Sequence, residues 1–322
     1  MKKELSYYET VKMISEIKKI FEEGLEKQLG LLKVQSPLFV SVESGLQDNL
    51  SGIEKAVSFM KDGEKFEIVH SLAKWKREAL GRYGFLPDTG ILTDMKAIRK
   101  DEIIDDIHSI YVEQYDWEKV ITKEDRKIEY LKDTVNKIYK TIRQTAIVMR
   151  KKYPFLEILL PKSIYFITSQ ELEDMYPHET PKKREQLITE EKKAVFIIGI
   201  GEKLESGISH DMRSPDYDDW KLNGDMLIYA KAIKKEMEMT SMGIRVDKES
   251  LLHQLHEAKC EDRMNYSYHQ KIIKEKMPFT IGGGIGISRL CMLILGKSHI
   301  AEVQASSWDE KTILKLKDHD IL

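Results

Sequence analysis

The sequence predicts a mixed α/β fold of the α+β kind, built as a single domain over residues 1–322. Two long segments carry apolar residues at helical spacing. The first has Val11, Ile14, Ile17, Phe21 and Leu25; the second, Leu131–Tyr153, has Leu131, Val135, Ile138, Ile142 and Ile147. Elsewhere, short runs either alternate polar with apolar residues or are apolar throughout, as strands do. No repeat, low-complexity segment or Pro/Gly/Ser-rich linker divides the chain.

In chain order, Ser6-Tyr-Tyr-Glu9 has the form of a capping box opening the first helix. Gly30 is placed to stop it. Leu31–Val40 reads as a strand broken at Pro37, and Ser44–Gly52 as a polar loop. Lys65–Leu72 is strand-like and runs into His70–Arg77, where cationic groups crowd around Trp75. The plain reading of that stretch is the solvated start of an amphipathic helix. Ile91-Leu-Thr93 is strand-like. From Ser109 onward Ile110, Val112, Gln114 and Asp116 share one strand face. Gln114 and Asp116 there suit either substrate reading or a polar edge.

Ile164–Ser169 reads as a strand. Thr180 caps, and Pro181 begins, a charged helix. Ala194–Ile200 is a buried strand ended by Gly201. His210–Asp225 is an acidic centre with Asp211, Asp216, Asp218, Asp219 and Asp225, and Met226–Tyr229 follows as a short strand. Lys235–Val246 alternates, setting Glu236, Glu238 and Thr240 opposite Met237, Met239 and Ser241. Carboxylates two apart on a strand face one volume and can hold Mg²⁺ together with phosphate oxygens; Glu236 is better read as a solvated strand face. Asp247–Ala258 and Glu261–Lys274 read as helices, with His253, His256 and His269 as surface or core residues rather than ligands.

Pro278–Arg289 organises the rest. Gly282, Gly283, Gly284 and Gly286 lie just before the apolar run Leu290–Leu295, which reads as a helix entering a core. Glycine lets backbone approach a ligand and adopt dihedrals closed to other residues. A helix start beyond it suits an anionic ligand, and Arg289 adds a cation that can stack or fork onto phosphate. The alternative is a glycine-rich turn before a core helix. A dinucleotide fingerprint fails, because its last glycine would fall on Ile287 or Arg289. A Walker A loop ending at Gly296-Lys297-Ser298 fails at Cys291.

Composition narrows the function classes. Lys+Arg of 52 against Asp+Glu of 54 gives a net charge of −2, so no whole-surface attraction to nucleic acid is expected. Cys260 and Cys291 form no CxxC pair, which argues against a zinc or disulfide framework. The charged start Met1-Lys-Lys-Glu-Leu has no apolar leader core, and no run of 18 apolar residues offers a membrane span. A cytoplasmic protein without a membrane partner is expected.

The glycine cluster closed by arginine, G-x-G-x-G-x-x-R from Gly282 to Arg289, resembles the third signature motif of class II aminoacyl-tRNA synthetases, an ATP-binding fold. The opening helix, strand and Pro37 resemble the first, which builds a dimer interface. Further strings agree in register: Gln47–Gly52, His70–Arg77, Met95–Arg99, Tyr115–Glu118, Ser214–Trp220, Leu222–Asp225 and Ser241–Arg245. Together they resemble the ammonia-dependent asparagine synthetases (aspartate–ammonia ligases) over essentially the whole chain. That resemblance implies an antiparallel sheet flanked by helices, assembled as a homodimer. It departs in one place: only Lys221 separates Trp220 from Leu222, where the family pattern carries a longer, lid-like loop.

The resemblance also implies a reaction. The side-chain carboxylate of L-aspartate attacks the α-phosphorus of ATP to give β-aspartyl-AMP and pyrophosphate; ammonia then displaces AMP and yields asparagine. By resemblance, Arg99 holds the α-phosphate and Arg289 the adenine and terminal phosphates, beside Gly284 and Gly286. Asp225 and Glu238 bind Mg²⁺ with those phosphates. Asp48, Ser71, Lys76, Gln114, Asp116, Asp218 and Ser241 line the aspartate pocket, with Lys76 facing a substrate carboxylate. Asp48, Asp116 and Asp218 share the α-ammonium and the incoming ammonium. Arg99, Lys76 and Asp48 are the expected catalytic residues. The main rival, a tRNA-charging enzyme, calls for an anticodon-binding domain and usually a basic face, neither of which is evident. A silent paralogue calls for lost arginines or carboxylates, yet Arg99, Arg289, Asp225 and Glu238 are all present. A glutamine-dependent enzyme would place cysteine near the N-terminus, where Lys2 stands.

Overall fold

A computed structural model describes residues 5–50, 52 and 54–322. The charged start Met1–Glu4 with its Lys2, and Ser51 of the polar loop, lie outside the described residues. The helices are α1 Tyr7–Leu29, α2 Ala73–Tyr83, α3 Ile128–Lys152, α4 Ser169–Met175, α5 Pro181–Lys192, α6 Lys248–Glu257, α7 Ser267–Ile273, α8 Ile287–Leu295 and α9 Glu310–Lys315. The strands are β1 Leu31–Lys33, β2 Phe39–Ser41, β3 Ser58–Lys61, β4 Glu64–Ile68, β5 Gly90–Ile98, β6 Tyr111–Val120, β7 Tyr165–Thr168, β8 Ala194–Ile198, β9 Asp218–Ala230, β10 Lys235–Arg245 and β11 Thr280–Gly286.

Among the described residues, one eight-stranded sheet runs β1-β5-β6-β11-β10-β9-β8-β7, and β2-β4-β3 form a small second sheet. From β5 to β8 all neighbours are antiparallel, while the outer strands β1 and β7 pair parallel. The antiparallel expectation therefore holds for the centre and not for the edges. Pro37 lies between strands of different sheets, so Leu31–Val40 is two strands rather than one.

One face of the large sheet is the core. Ile17, Phe21 and Leu25 of α1, Ile138 and Ile142 of α3, and Leu290 and Ile294 of α8 pack there against Trp117, Met242, Ile244, Ile281 and Ile285. The caps match expectation. Ser6 and Glu9 form a capping box, Gly30 ends α1 at φ 72°, and Thr180 caps α5 with Pro181 in its first turn. Two apolar residues in the helical patterns face outward instead: Val11 and Ile147 are exposed, and Met13 and Met149 take their share of the core. No helix among the described residues is long and apolar enough to cross a membrane.

Other expectations shift. The short strand at Met226–Tyr229 is the end of the long β9. Lys221, where the family pattern carries a longer loop, lies within β9; Asn223 pairs Gly243 but Asp218 already pairs Arg245, so residues 219–222 bulge out of register. Glu261–Lys274 is broken into a 3₁₀ turn, Glu261–Asn265, and α7. The start of α2 is buried rather than solvated: Lys74, Lys76 and Arg77 are each at most 2% exposed.

Candidate active site

The second face of the sheet forms the site, and β11 shapes it. Gly282, Gly284 and Gly286 pair with Glu118, Asp116 and Gln114 of β6, so they point with those side chains away from the core. None of these glycines has positive φ. Their value is close approach: a Cβ at Gly282 would overlap the Glu118 carboxylate, and one at Gly284 the Gln114 amide. A glycine at every second position leaves room on that strand face for the Glu118 and Gln114 side chains to lie across it. The glycine stretch, whose alternative reading is a turn before a core helix, is thus a strand, ending at Gly286 as the residue before α8.

The far end of β11 borders a cavity of about 310 Å³, within the usual size of a small-molecule site. Asp48, Ser71, Lys76, Gln114, Asp116 and Asp218 line it together. Arg99, Glu238, Ser241, Gly284, Gly286 and Arg289 line it as well. Asp225 does not. It pairs with Arg213, whose Nη2 donates to Asp225 Oδ1 at 2.5 Å and whose Nη1 donates to Ser241 Oγ.

Strand β10 also departs from simple alternation. Its register shifts between Glu238, opposite Leu227, and Thr240, opposite Met226. This bulge at Met239 carries Ser241 onto the face of Glu238 instead of the opposite one. Both side chains therefore reach the cavity, and Thr240 turns into the core.

Electrostatics are tightly balanced. Lys76 is paired with Asp116, stands 3.9 Å from Glu118, and donates to the Gly283 carbonyl at 3.2 Å. Burial pulls its pKa down despite those carboxylates. Asp116 Oδ2 also accepts from the Leu72 backbone at 3.1 Å. Ser71 Oγ donates to Asp48 Oδ2 at 2.6 Å, joining two predicted residues from separate loops. Arg245 lies beneath, bonded to Asp218 and, through Nε and Nη2, to Glu118 at 2.9 and 2.7 Å. Burial would raise the Glu118 carboxyl, but Arg245 overcomes it and holds it below the ordinary value. At Asp218 burial wins over Arg245 and Arg213, and the carboxyl is raised.

The two expected phosphate arginines differ from these. Among the described residues Arg289 donates only to carbonyls, Ile107 at 3.3 Å and Glu238 at 2.9 Å. Arg99 Nη2 donates to the His70 carbonyl at 3.3 Å, and its buried Nε has no partner among the described residues. Their charge remains available to a ligand. Arg213, Arg245 and Glu118 went unassigned in the sequence. Arg245 and Glu118 end two of the matched strings, and Arg213 is a cation inside the acidic centre; those were the available signals.

A buried network ties the loop that carries Arg213 and Asp218. Asp216 accepts from Lys74 at 2.7 Å, Arg263 at 3.3 Å and Ser214 at 2.9 Å, and bonds His269 Nε2 at 3.0 Å. His269 is a core residue, while His253 and His256 are exposed.

Residues 8–320 match the model of a family described as aspartate-ammonia ligase. Proteins named aspartate--ammonia ligase are close relatives. That of Clostridium tetani is 56% identical over 315 residues, covering 97% of this chain and 92% of its own. That of Fusobacterium nucleatum is 55% identical over 308 residues, covering 95% and 94%. Among solved structures, Entamoeba histolytica asparaginyl-tRNA synthetase in complex with asparaginyl-adenylate superposes with a TM-score of 0.67 at 15% identity, over 92% of this chain and 66% of that one. The Pyrococcus horikoshii enzyme with the same adenylate also gives 0.67 at 15% identity, over 91% and 67%. At such identities the likeness speaks for the fold, which is that of class II aminoacyl-tRNA synthetases.

Proposed function

The chain belongs to the aspartate–ammonia ligase family, and on that premise we propose that it makes L-asparagine from L-aspartate, ammonia and ATP through β-aspartyl-AMP. One observation carries this reading: a single cavity holds an acidic group, Asp48, Asp116 and Asp218, together with two arginines, Arg99 and Arg289, that pair with no carboxylate among the described residues. The first set suits ammonium groups and the second suits phosphates.

In the first step a β-carboxylate oxygen of aspartate attacks the α-phosphorus and the bond to the β-phosphate breaks, releasing pyrophosphate. Negative charge grows on phosphate oxygens, so preset cations lower the barrier. Arg99 forks onto the α-phosphate, and Arg289 meets the adenine and terminal phosphates beside Gly284 and Gly286. Lys76 meets the substrate α-carboxylate, with Ser71, Gln114 and Ser241 completing the pocket. In the second step ammonia attacks the acyl carbon and AMP leaves. Asp48, Asp116 and Asp218 hold the α-ammonium and incoming ammonium. Asp218, raised by burial, has the property a proton acceptor needs.

Asp225 and Glu238 would hold Mg²⁺. They are two oxygen donors on adjacent strands, as a hard cation requires. Burial, joined by the charge of Glu238, raises the Asp225 carboxyl against the pull of Arg213, a repulsion that a divalent ion relieves. When bound, the ion supplies neutralisation of phosphate charge. The same reading makes residues 1–322 one catalytic domain, acting as a homodimer in the cytoplasm. The direct assay is asparagine formation from aspartate, ATP and ammonium with AMP as coproduct; ADP as coproduct contradicts the reading.

A further inference from the structure

Arg213 joins the cavity to Asp225. Its side chain is 9% exposed and lines the cavity, while the Asp225 side chain it pairs with, 16% exposed, is not part of the cavity lining. One guanidinium edge is committed to Asp225 at 2.5 Å and to Ser241. Its Nε is buried and makes no hydrogen bond among the described residues, with Asp218 Oδ2 at 4.0 Å. No other cation pairs with Asp225 among the described ion pairs. Arg213 thus supplies the positive charge paired with the half-buried Asp225 carboxylate, while the neighbouring Glu238 feels the charge of Lys182.

We propose that Arg213 is a built-in counter-cation: it occupies Asp225 while the site is empty and yields that carboxylate only to a metal–nucleotide complex, passing to a phosphate itself. This rests on the reading of Asp225 and Glu238 as the metal-binding pair. The reason is charge balance. A bare divalent ion that took Asp225 would put a second cation beside the guanidinium and leave it only the longer 4.0 Å approach to Asp218, which is unfavourable. A metal–nucleotide complex brings phosphate oxygens that accept the displaced fork. The site therefore discriminates against free divalent ions and in favour of the loaded nucleotide. The chain around Arg213 allows the exchange. Met212 is 66% exposed on one side, and the Asp216 network holds the other side to α2 and α7.

The test measures Mn²⁺ binding by electron paramagnetic resonance, first without nucleotide and then with the non-cleavable α,β-methylene analogue of ATP. Arg213→Met removes the competitor. It should bind Mn²⁺ alone about tenfold or more tightly than the parent, since charge-assisted hydrogen bonds carry that much, and the Mn²⁺–analogue complex more weakly. Arg213→Lys keeps the charge, so its affinity for Mn²⁺ alone should stay near the parent's. Melting curves confirm that each variant is folded. Unchanged or weaker Mn²⁺ binding by Arg213→Met, or an equal gain in Arg213→Lys, overturns the proposal. Asp225→Asn and Glu238→Gln test the underlying reading separately. If both bind the Mn²⁺–analogue complex like the parent, the metal assignment falls and the counter-cation with it. If they bind it more weakly while Arg213→Met changes nothing, only the counter-cation is lost.

Discussion

Lys76 on α2 and Asp116 on β6 form an ion pair at the cavity wall, with neither side chain more than 3% exposed. The pair joins helix to sheet and also sets the charge that a substrate meets. Removing Lys76 leaves Asp116 buried without its ion-pair partner. Lys76→Met should therefore destabilise the protein by about 3–5 kcal/mol in urea unfolding, and Lys76→Met with Asp116→Leu should recover part of that loss. Neither variant should recover aspartate-dependent turnover. A double variant no more stable than the single one would show that the pair is not the source of the loss.

Arg99 uses one nitrogen on the His70 carbonyl and leaves its buried Nε without a partner. A lysine can supply the charge but not the fork. Arg99→Lys should slow aspartate-dependent pyrophosphate release by roughly 2–4 kcal/mol in barrier, by analogy with loss of an oxyanion donor, with the melting temperature little changed. Pyrophosphate release near the parent rate would remove Arg99 from the α-phosphate.

Asp216 gives the fold a pH dependence with a definite sign. Burial opposes its charge, but Lys74, His269 and Arg263 overcome that and hold the carboxyl well below the ordinary 3.8. A group depressed in the folded state stabilises above its unfolded pKa, and that contribution is lost as pH falls below it. Asp216→Asn should therefore be less stable than the parent near neutrality, and the gap should narrow between about pH 5 and about pH 3. Thermal melts across that range check it; a gap that stays constant would assign the loss to packing alone.

Much of this site could be read from the chain because its motifs carry their residues directly onto one sheet face. Gln114 and Asp116 share the face that their two-residue spacing dictates. Gly282, Gly284 and Gly286 follow the same period, although the consequence at Gly282 and Gly284, room for the Glu118 and Gln114 side chains rather than an unusual dihedral, depends on β6. Two features escaped for physical reasons. The bulge at Met239 reverses the phase of β10, and no local pattern announces which residue of a strand will be skipped. Arg213 joins residues on two other strands, and α2 buries its lysines against Asp116 and Asp216. Both depend on long-range partners, and a cationic helix start reads as solvated until they are known.

The central claim is that the side-chain carboxylate of aspartate, not its α-carboxylate, is activated on ATP. An enzyme that charges tRNA presents the α-carboxylate; one that makes asparagine turns the substrate around and holds both α-groups at the far end of the pocket. Lys76 beside Gln114, Asp116 and Asp218 fits that second arrangement. Trapping with hydroxylamine separates the two. The protein is incubated with aspartate, ATP and hydroxylamine in place of ammonium, and the product is identified by chromatography against both hydroxamates. The account predicts the β-hydroxamate, formed together with AMP. Recovery of the α-hydroxamate would contradict it.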